Sequence, residues 1–375
     1  MAESLYPLRF KEVLRDYGFG DRWIVEAFEK EGLPGVPHRV GETWEVCDRP
    51  NGESSEVING ALAGETLHTL IDAYGKALLG SDIVARCGTR FPLLIKFLDA
   101  THPLGEQAHH SDALAAEQGL VDPGKTEAWY MLRTREGATI RVGNDEGVTP
   151  SMVHDALMAG TIKELMREVE ASPGDAFLLY AGTMHYSAGG VLFYEIMQNS
   201  DVYIGLRALD PALPDEEREA AVRERMKGLH LEEGFDAQTT PVTLGSGANR
   251  RTFVFACRYF ALERLDLMAP TMVNCNGERF YVLSLIEGAC TVVYGDHHEV
   301  LRPGQTVLLP AALGVVTLVP TEPSAFLKAY VPDLAKDVVA PLRLSGVSDE
   351  AIMGLGGRTM LNDLVPLLGD VEAED

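Results

Sequence analysis

Residues 173–201, PGDAFLLYAGTMHYSAGGVLFYEIMQNSD, decide how the rest of the chain is read. Pro173-Gly174-Asp175 is a turn signal. Residues 176–180 form a short apolar run of the kind that makes a buried strand. Ala181-Gly182-Thr183 turns the chain again and delivers His185 on its far side. Gly189-Gly190 is a third turn, and residues 191–197 read as another strand. His185 is therefore expected just past a tight turn between antiparallel strands, where a side chain can point into the mouth of a β-barrel.

Working outward, more strands and turns appear. Residues 41–46 and 91–100 read as strands, the second with Lys96 inside it, either a snorkelling edge lysine or a cleft lysine. Residues 55–59 are expected to form a strand and residues 66–79 a helix by their apolar period. Residues 125–133 are a further strand, holding Glu127, Trp129 and Tyr130. Thr149 and Thr161 are expected to cap helices running to about 158 and 169. Residues 215–227, dense in Glu, Arg and Ala, read as an exposed helix. The polar stretch 230–247 is a boundary candidate, dividing the chain into residues 1–240 and 241–375. Beyond it, strands are expected at 251–262, 277–285, 288–294, 304–310 and 315–319. His297-His298 is read as a hairpin loop, and the tail ends in the acidic residues 372–375. Gly304-Gln305-Thr306-Val307 echoes the strand set around residue 174, so the second half is expected to repeat the template of the first. At its corresponding turn stands Pro310-Ala311-Ala312-Leu313-Gly314, without a histidine. The expected fold is thus mainly β, two barrels with helices packed outside.

Composition narrows the function classes. The 375 residues are 46% apolar and 23% charged, ordinary for a soluble globular protein. A formal net charge of −24 makes nucleic acid and anionic membrane surfaces poor partners. The five cysteines are odd in number, widely spaced and lack a CxxC pair, which fits reduced thiols and a cytoplasmic protein. The first residues, MAESLYPLRF, lack the basic start and apolar run of a signal peptide, and no apolar run approaches the length of a membrane span.

In the first half, Gln107, His109, Glu127 and His185 interrupt strand-like stretches. Imidazole and carboxylate suit Zn²⁺ or another first-row divalent ion. Gln107 and His109 stand two apart, as do Glu127 and Trp129, so each pair shares a strand face. One carboxylate and two imidazoles leave a bound ion net positive. Spacing alone leaves the other reading open, in which these are hydrogen-bonded core residues.

The ordered motifs go further. They are Gly41-Glu42-Thr43-Trp44-Glu45-Val46, Pro50-Asn51-Gly52, residues 91–100 (FPLLIKFLDA), Gln107-x-His109, Gly124-Lys125-Thr126-Glu127-x-Trp129-Tyr130, Ala181-Gly182-Thr183-x-His185 and Glu195-x-x-Gln198-Asn199-Ser200-Asp201. With them the chain resembles the class I mannose-6-phosphate isomerases, zinc enzymes of the cupin (jelly-roll) fold, over most of its length. The resemblance implies two cupin barrels. It implies one Zn²⁺ held by Gln107, His109, Glu127 and His185; the second barrel, without a histidine at its corresponding turn, is expected to be metal-free. It implies a small sugar-phosphate substrate and an aldose–ketose isomerisation through an enediol. Lys125 matches a lysine that the family places beside the metal, where a lowered pKa would suit acid–base work. The chain departs from the family at three positions. The family's catalytic arginine falls on Gly205, with Arg207 two residues on as a candidate replacement. Gly105 stands where the family has a serine associated with phosphate, and Glu106 adds a negative charge. These departures keep two alternatives in view, an isomerase for a different sugar and a metal-bound sugar-sensing protein without catalysis.

Overall fold

The computed structural model describes residues 4–30, 35–245 and 247–369. The acidic run at 372–375 lies outside the described residues. Two sets of eight strands dominate. In the first half they are β1 (Leu93–Ala100), β2 (Gln107–Ala108), β3 (Glu127–Thr134), β4 (Thr139–Val142), β5 (Glu168–Glu170), β6 (Ala176–Leu179), β7 (His185–Ser187) and β8 (Val191–Gln198). In the second they are β9 (Ala261–Leu267), β10 (Thr271–Cys275), β11 (Tyr281–Glu287), β12 (Cys290–Tyr294), β13 (His297–Leu301), β14 (Gln305–Leu309), β15 (Gly314–Pro320) and β16 (Ser324–Tyr330).

The first set forms sheets in the orders β1-β8-β3-β6 and β2-β7-β4-β5. The second forms sheets in the orders β9-β16-β11-β14 and β10-β15-β12-β13. Adding eight to each label converts one set into the other, so the two halves share one antiparallel double-sheet topology. Flanking strands widen the sheets. Glu42–Val46 pairs with β1, and Arg250–Ala256 pairs with β9. Leu8–Arg9 pairs with β14, so the start of the chain joins the sheet of the second half.

The central strands β1 and β8 are buried along their whole length, which is why both read as near-continuous apolar runs. Helices lie at the periphery. Thr66 caps Leu67–Tyr74, Gly75 interrupts the expected 66–79 helix, and Lys76–Leu79 continues it. Thr149 caps Pro150–Ala159, and Asp215–Lys227 forms with the expected bounds. Among the described residues, no helix is long and apolar enough to cross a membrane.

Four expectations are corrected. Residues 55–59 make only single bridges, Phe10 to Val57 and Glu56 to Thr66, because each side meets a different neighbour. The helix expected after Thr161 shrinks to one 3-10 turn, Ile162–Leu165. The chain must straighten there to pair β5 with β4. The stretch 251–262 splits into two strands, because Cys257 N–H donates to Phe260 C=O and closes a turn without glycine or proline. His297 and His298 lie in β13, after a two-residue turn at Gly295-Asp296, and His297 stacks on Tyr6.

Candidate metal centre

Three buried side chains converge where β2, β3 and β7 begin or end. His109 follows β2, Glu127 opens β3 and His185 opens β7. His185 pairs with Gln107 across the sheet, and Gln107 also pairs with Gly205 of the short strand Ile204–Gly205. One ligand atom from each of His109, Glu127 and His185 lies within 4.8 Å of the others. His109 Nε2 is 3.3 Å from Glu127 Oε2, and His185 Nε2 is 3.2 Å from Glu127 Oε1.

The outer ring nitrogens define what faces inward. His109 Nδ1 is 2.9 Å from the Val202 carbonyl oxygen, and His185 Nδ1 is 2.9 Å from that of Thr183. A carbonyl only accepts, so each Nδ1 carries the proton and donates it. Burial pushes His109 down to about 3, with the Lys125 charge adding to the effect, and burial also lowers His185. Both rings are therefore neutral, and each Nε2 presents a lone pair. Burial would raise the Glu127 carboxyl, but the Lys125 charge beside it outweighs this and holds it well below the ordinary value. Two lone pairs thus face a carboxylate at 3.2–3.3 Å, and His109 Nε2, His185 Nε2 and both Glu127 oxygens lack a hydrogen-bond partner among the described residues. Four buried acceptors pointed at one another repel unless a cation stands between them. The donor set of two imidazoles and one carboxylate fits zinc.

The lysine is anchored next to this set. Lys125 Nζ is 2.8 Å from Glu127 Oε2, an ion pair by distance whose angle does not make a hydrogen bond. Lys125 N–H donates to His110 C=O. Asp112 Oδ1 accepts from Gly124 N–H at 2.8 Å and from Gln198 Nε2 at 3.1 Å. Gln198 Oε1 accepts from Thr126 N–H at 2.8 Å, and Tyr259 donates to Asp112 Oδ2 at 2.7 Å. Position 124 must be glycine, since a Cβ there would lie 2.3 Å from the Asp112 nitrogen. Asp112, Gln198 and Tyr259 therefore aim the Lys125 segment. Sequence reading missed Asp112 and Tyr259. Ser111-Asp112 looks like an ordinary helix start, and Tyr259 comes from the other half of the chain.

Beneath the ligands runs a charged triad. Lys96 is buried in the middle of the sheet, neither at an edge nor in a cleft, 3.3 Å from Glu42 and 3.2 Å from Glu195. Glu195 also accepts from Trp129 Nε1 at 3.0 Å, and Trp129 meets His185 edge-on at 5.6 Å.

Arg207 lies two residues past Gly205, with Leu206 N–H donating to Glu106 C=O. Its guanidinium covers Gly105 so closely that a Cβ there would be 2.3 Å from Nη2. Its Nε is 4.0 Å from Glu106 Oε2, and 68% of the side chain is exposed. A cleft of about 540 Å³ nearby is lined by Arg86, Arg90, Asp112, Gln198 and Tyr259 but by none of the three ligands, so donor chemistry rather than cavity size locates the centre.

Residues 249–321 match the family model "Mannose-6-phosphate isomerase, cupin domain". The chain is 30% identical to mannose-6-phosphate isomerase ManA of Bacillus subtilis over 320 residues, 82% of this chain and 94% of that one. A Streptococcus mutans mannose-6-phosphate isomerase is 29% identical over 77% of this chain and 88% of its own length. Among solved structures, the Bacillus subtilis mannose 6-phosphate isomerase superposes with a TM-score of 0.71 at 24% identity, covering 86% of this chain and 99% of that one. A zinc-bound mannose 6-phosphate isomerase superposes with a TM-score of 0.68 at 18% identity, covering 87% and 99%. With the ManA match running through both halves and nearly the full length of that relative, the chain belongs to the mannose-6-phosphate isomerase family.

Proposed function

We propose that this chain is a zinc-dependent aldose–ketose isomerase that interconverts mannose 6-phosphate and fructose 6-phosphate by a proton shift through a cis-enediol. The observation that carries the reading is the convergence of two neutral imidazole lone pairs and an ionised carboxylate, all buried and without a hydrogen bond among the described residues. His109, Glu127, His185 and the adjacent Gln107 would hold the metal. Bound zinc supplies positive charge that polarises the sugar carbonyl and its neighbouring hydroxyl. Lys125, aimed by the Asp112 network, holds and moves the proton. Arg207, exposed at the rim over Gly105, offers its guanidinium to the phosphate in place of the serine and arginine that the family carries there. The same proposal divides the chain into a metal-bearing unit, residues 1–240, and a metal-free unit, residues 241–375. The free cysteines, four of them buried, support a cytoplasmic setting.

Glu106 favours a second reading. Its carboxylate near Arg207 offsets part of the guanidinium charge, which suits a substrate less anionic than a phosphate ester. A coupled assay of zinc-loaded protein on mannose 6-phosphate, with free mannose and other sugars in parallel, separates the two. Turnover of roughly 1–10³ per second on the phosphate supports the first. Turnover confined to a neutral sugar supports the second, and none on any sugar with zinc bound points to a sugar-sensing role. Arg207→Ala should lower kcat/KM for mannose 6-phosphate at least about tenfold. Unchanged kcat/KM would remove Arg207 from the reaction.

A further inference from the structure

The two halves can be aligned residue by residue through their sheet registers. Glu127 opens β3 and pairs with Leu179, the last residue of β6; Tyr281 opens β11 and pairs with Leu309, the last residue of β14. Tyr281 therefore corresponds to Glu127. His185 opens β7 opposite Gln107, and Gly314 opens β15 opposite Cys275. The positions of Glu127, Gln107 and His185 in the first half thus become Tyr281, Cys275 and Gly314 in the second.

The same alignment reaches the buried triad. Glu195 pairs with Trp129 and Lys96, and Lys328 pairs with Leu283 and Glu263. Trp44 pairs with Lys96, and Phe253 pairs with Glu263, with the register shifting just after each. Two residues before them stand Glu42 and Arg251. Glu42, Lys96 and Glu195 thus map onto Arg251, Glu263 and Lys328, with every charge reversed. A triad of net −1 beneath a cation site becomes a triad of net +1 where the metal ligands are gone.

The reversed triad is built and has capacity to spare. Glu263 is fully buried. Its Oε1 accepts from Arg251 Nη2 at 2.7 Å and from Tyr330 at 2.6 Å. Its Oε2 accepts from Arg251 Nε at 2.7 Å and from Lys328 at 3.2 Å. Glu263 is saturated, while Arg251 Nη1 and the other Lys328 hydrogens meet no acceptor among the described residues. Lys328 lies over the rings of Tyr281 and Tyr330 at 4.7 and 4.9 Å. Burial lowers the Lys328 pKa while Glu263 pushes it back, so its ammonium lacks solvation that a second anion would supply. A cavity of about 390 Å³ opens here, lined by Arg251, Lys328, Tyr281, Asn274 and Leu265 among others, with Glu263 the one carboxylate lining it among the described residues.

We infer that the second half holds an anion pocket, in which the spare donors of Arg251 and Lys328 bind a small oxyanion, a carboxylate or a phosphate ester, at the place where the first half holds its cation. The size suits a molecule of metabolite dimensions. Charge-assisted contacts to a guanidinium and a shielded ammonium supply the affinity.

Isothermal titration of the full-length, zinc-loaded chain with inorganic phosphate and, separately, with malonate tests this. At least one probe should saturate a site that Arg251→Gln and Lys328→Gln each weaken at least about tenfold. Which probe binds more tightly assigns the ester or the carboxylate class. Asn274→Asp, an exposed change that adds negative charge at the mouth, should weaken the same site with an unchanged thermal midpoint, which guards against a folding defect in the triad variants. The inference is overturned if neither probe saturates a site, or if the isotherms of all three variants superimpose on that of the unaltered protein.

Discussion

Lowering the pH from about 7.5 to about 5 perturbs the metal centre through its two imidazoles alone, because the Glu127 carboxyl stays ionised throughout. An imidazole at the ordinary value of 6.5 would be almost wholly protonated at pH 5, and the proton would compete with zinc for Nε2. Each such ring costs about thirtyfold in affinity over this interval, and two cost about a thousandfold. Here burial and the nearby Lys125 push His109 down to about 3, so at pH 5 about one molecule in a hundred carries that proton. His185 is lowered in the same direction by burial. The loss of zinc affinity should therefore stay below about thirtyfold, the contribution of one unshifted ring. The assay is competition for zinc against a chromophoric chelator calibrated at each pH. A loss approaching a thousandfold would show that the rings titrate normally, and the argument from opposed lone pairs would fail with it.

The same shifts act on the metal-free fold. In the unfolded chain His109 takes up a proton below about pH 6.5, and in the fold it stays neutral until about pH 3. Stability is whole above the unfolded value and falls as pH drops through that window, by about 2 kcal/mol from His109 alone at pH 5. Urea midpoints of zinc-stripped protein that coincide at pH 7.5 and 5 would contradict this. Lys125→Met should keep zinc and lose about 10²–10⁴ in turnover, so near-normal turnover with metal bound would take Lys125 out of the chemistry. Gly124→Ala should cost about 1–3 kcal/mol and reduce turnover, since its Cβ would press on the Asp112 backbone rather than on a side-chain tip. An unchanged urea midpoint would show that the loop relaxes freely.

What sequence could reveal follows from what is local. Strands such as Val191–Gln198 announce themselves because buried central strands are continuously apolar. Helices such as Pro150–Ala159 announce themselves through the cap and the proline. The split at Cys257 was hidden because that turn is closed by one backbone hydrogen bond and by Arg258 reaching Asp363, 105 residues away. His109, Glu127 and His185 were legible as ligand types in a familiar order. Their lone-pair direction was not, because it is set by the carbonyls of Val202 and Thr183, which any residue could supply. Tyr259 was invisible for the same reason, its partner Asp112 being 147 positions distant.

The charge reversal between the halves shows where the limit lies. Lys96 and Glu263 look unrelated along the chain, one inside an apolar run and one in a mixed ALERLDL stretch. Only the registers show that they occupy one position, each flanked by two residues of the opposite sign. A buried charge without partners is costly, so a switch of the central residue alone would set three like charges side by side with no counterion. The three must change together, and the sign that results sets the field at the mouth of each half. In the first half a net negative triad would stabilise a cation above it. In the second, any metal would face Arg251 and Lys328 with Tyr281 in place of the carboxylate. Loss of the ligands and reversal of the triad are thus two sides of one electrostatic constraint, and neither is readable until the strands are paired.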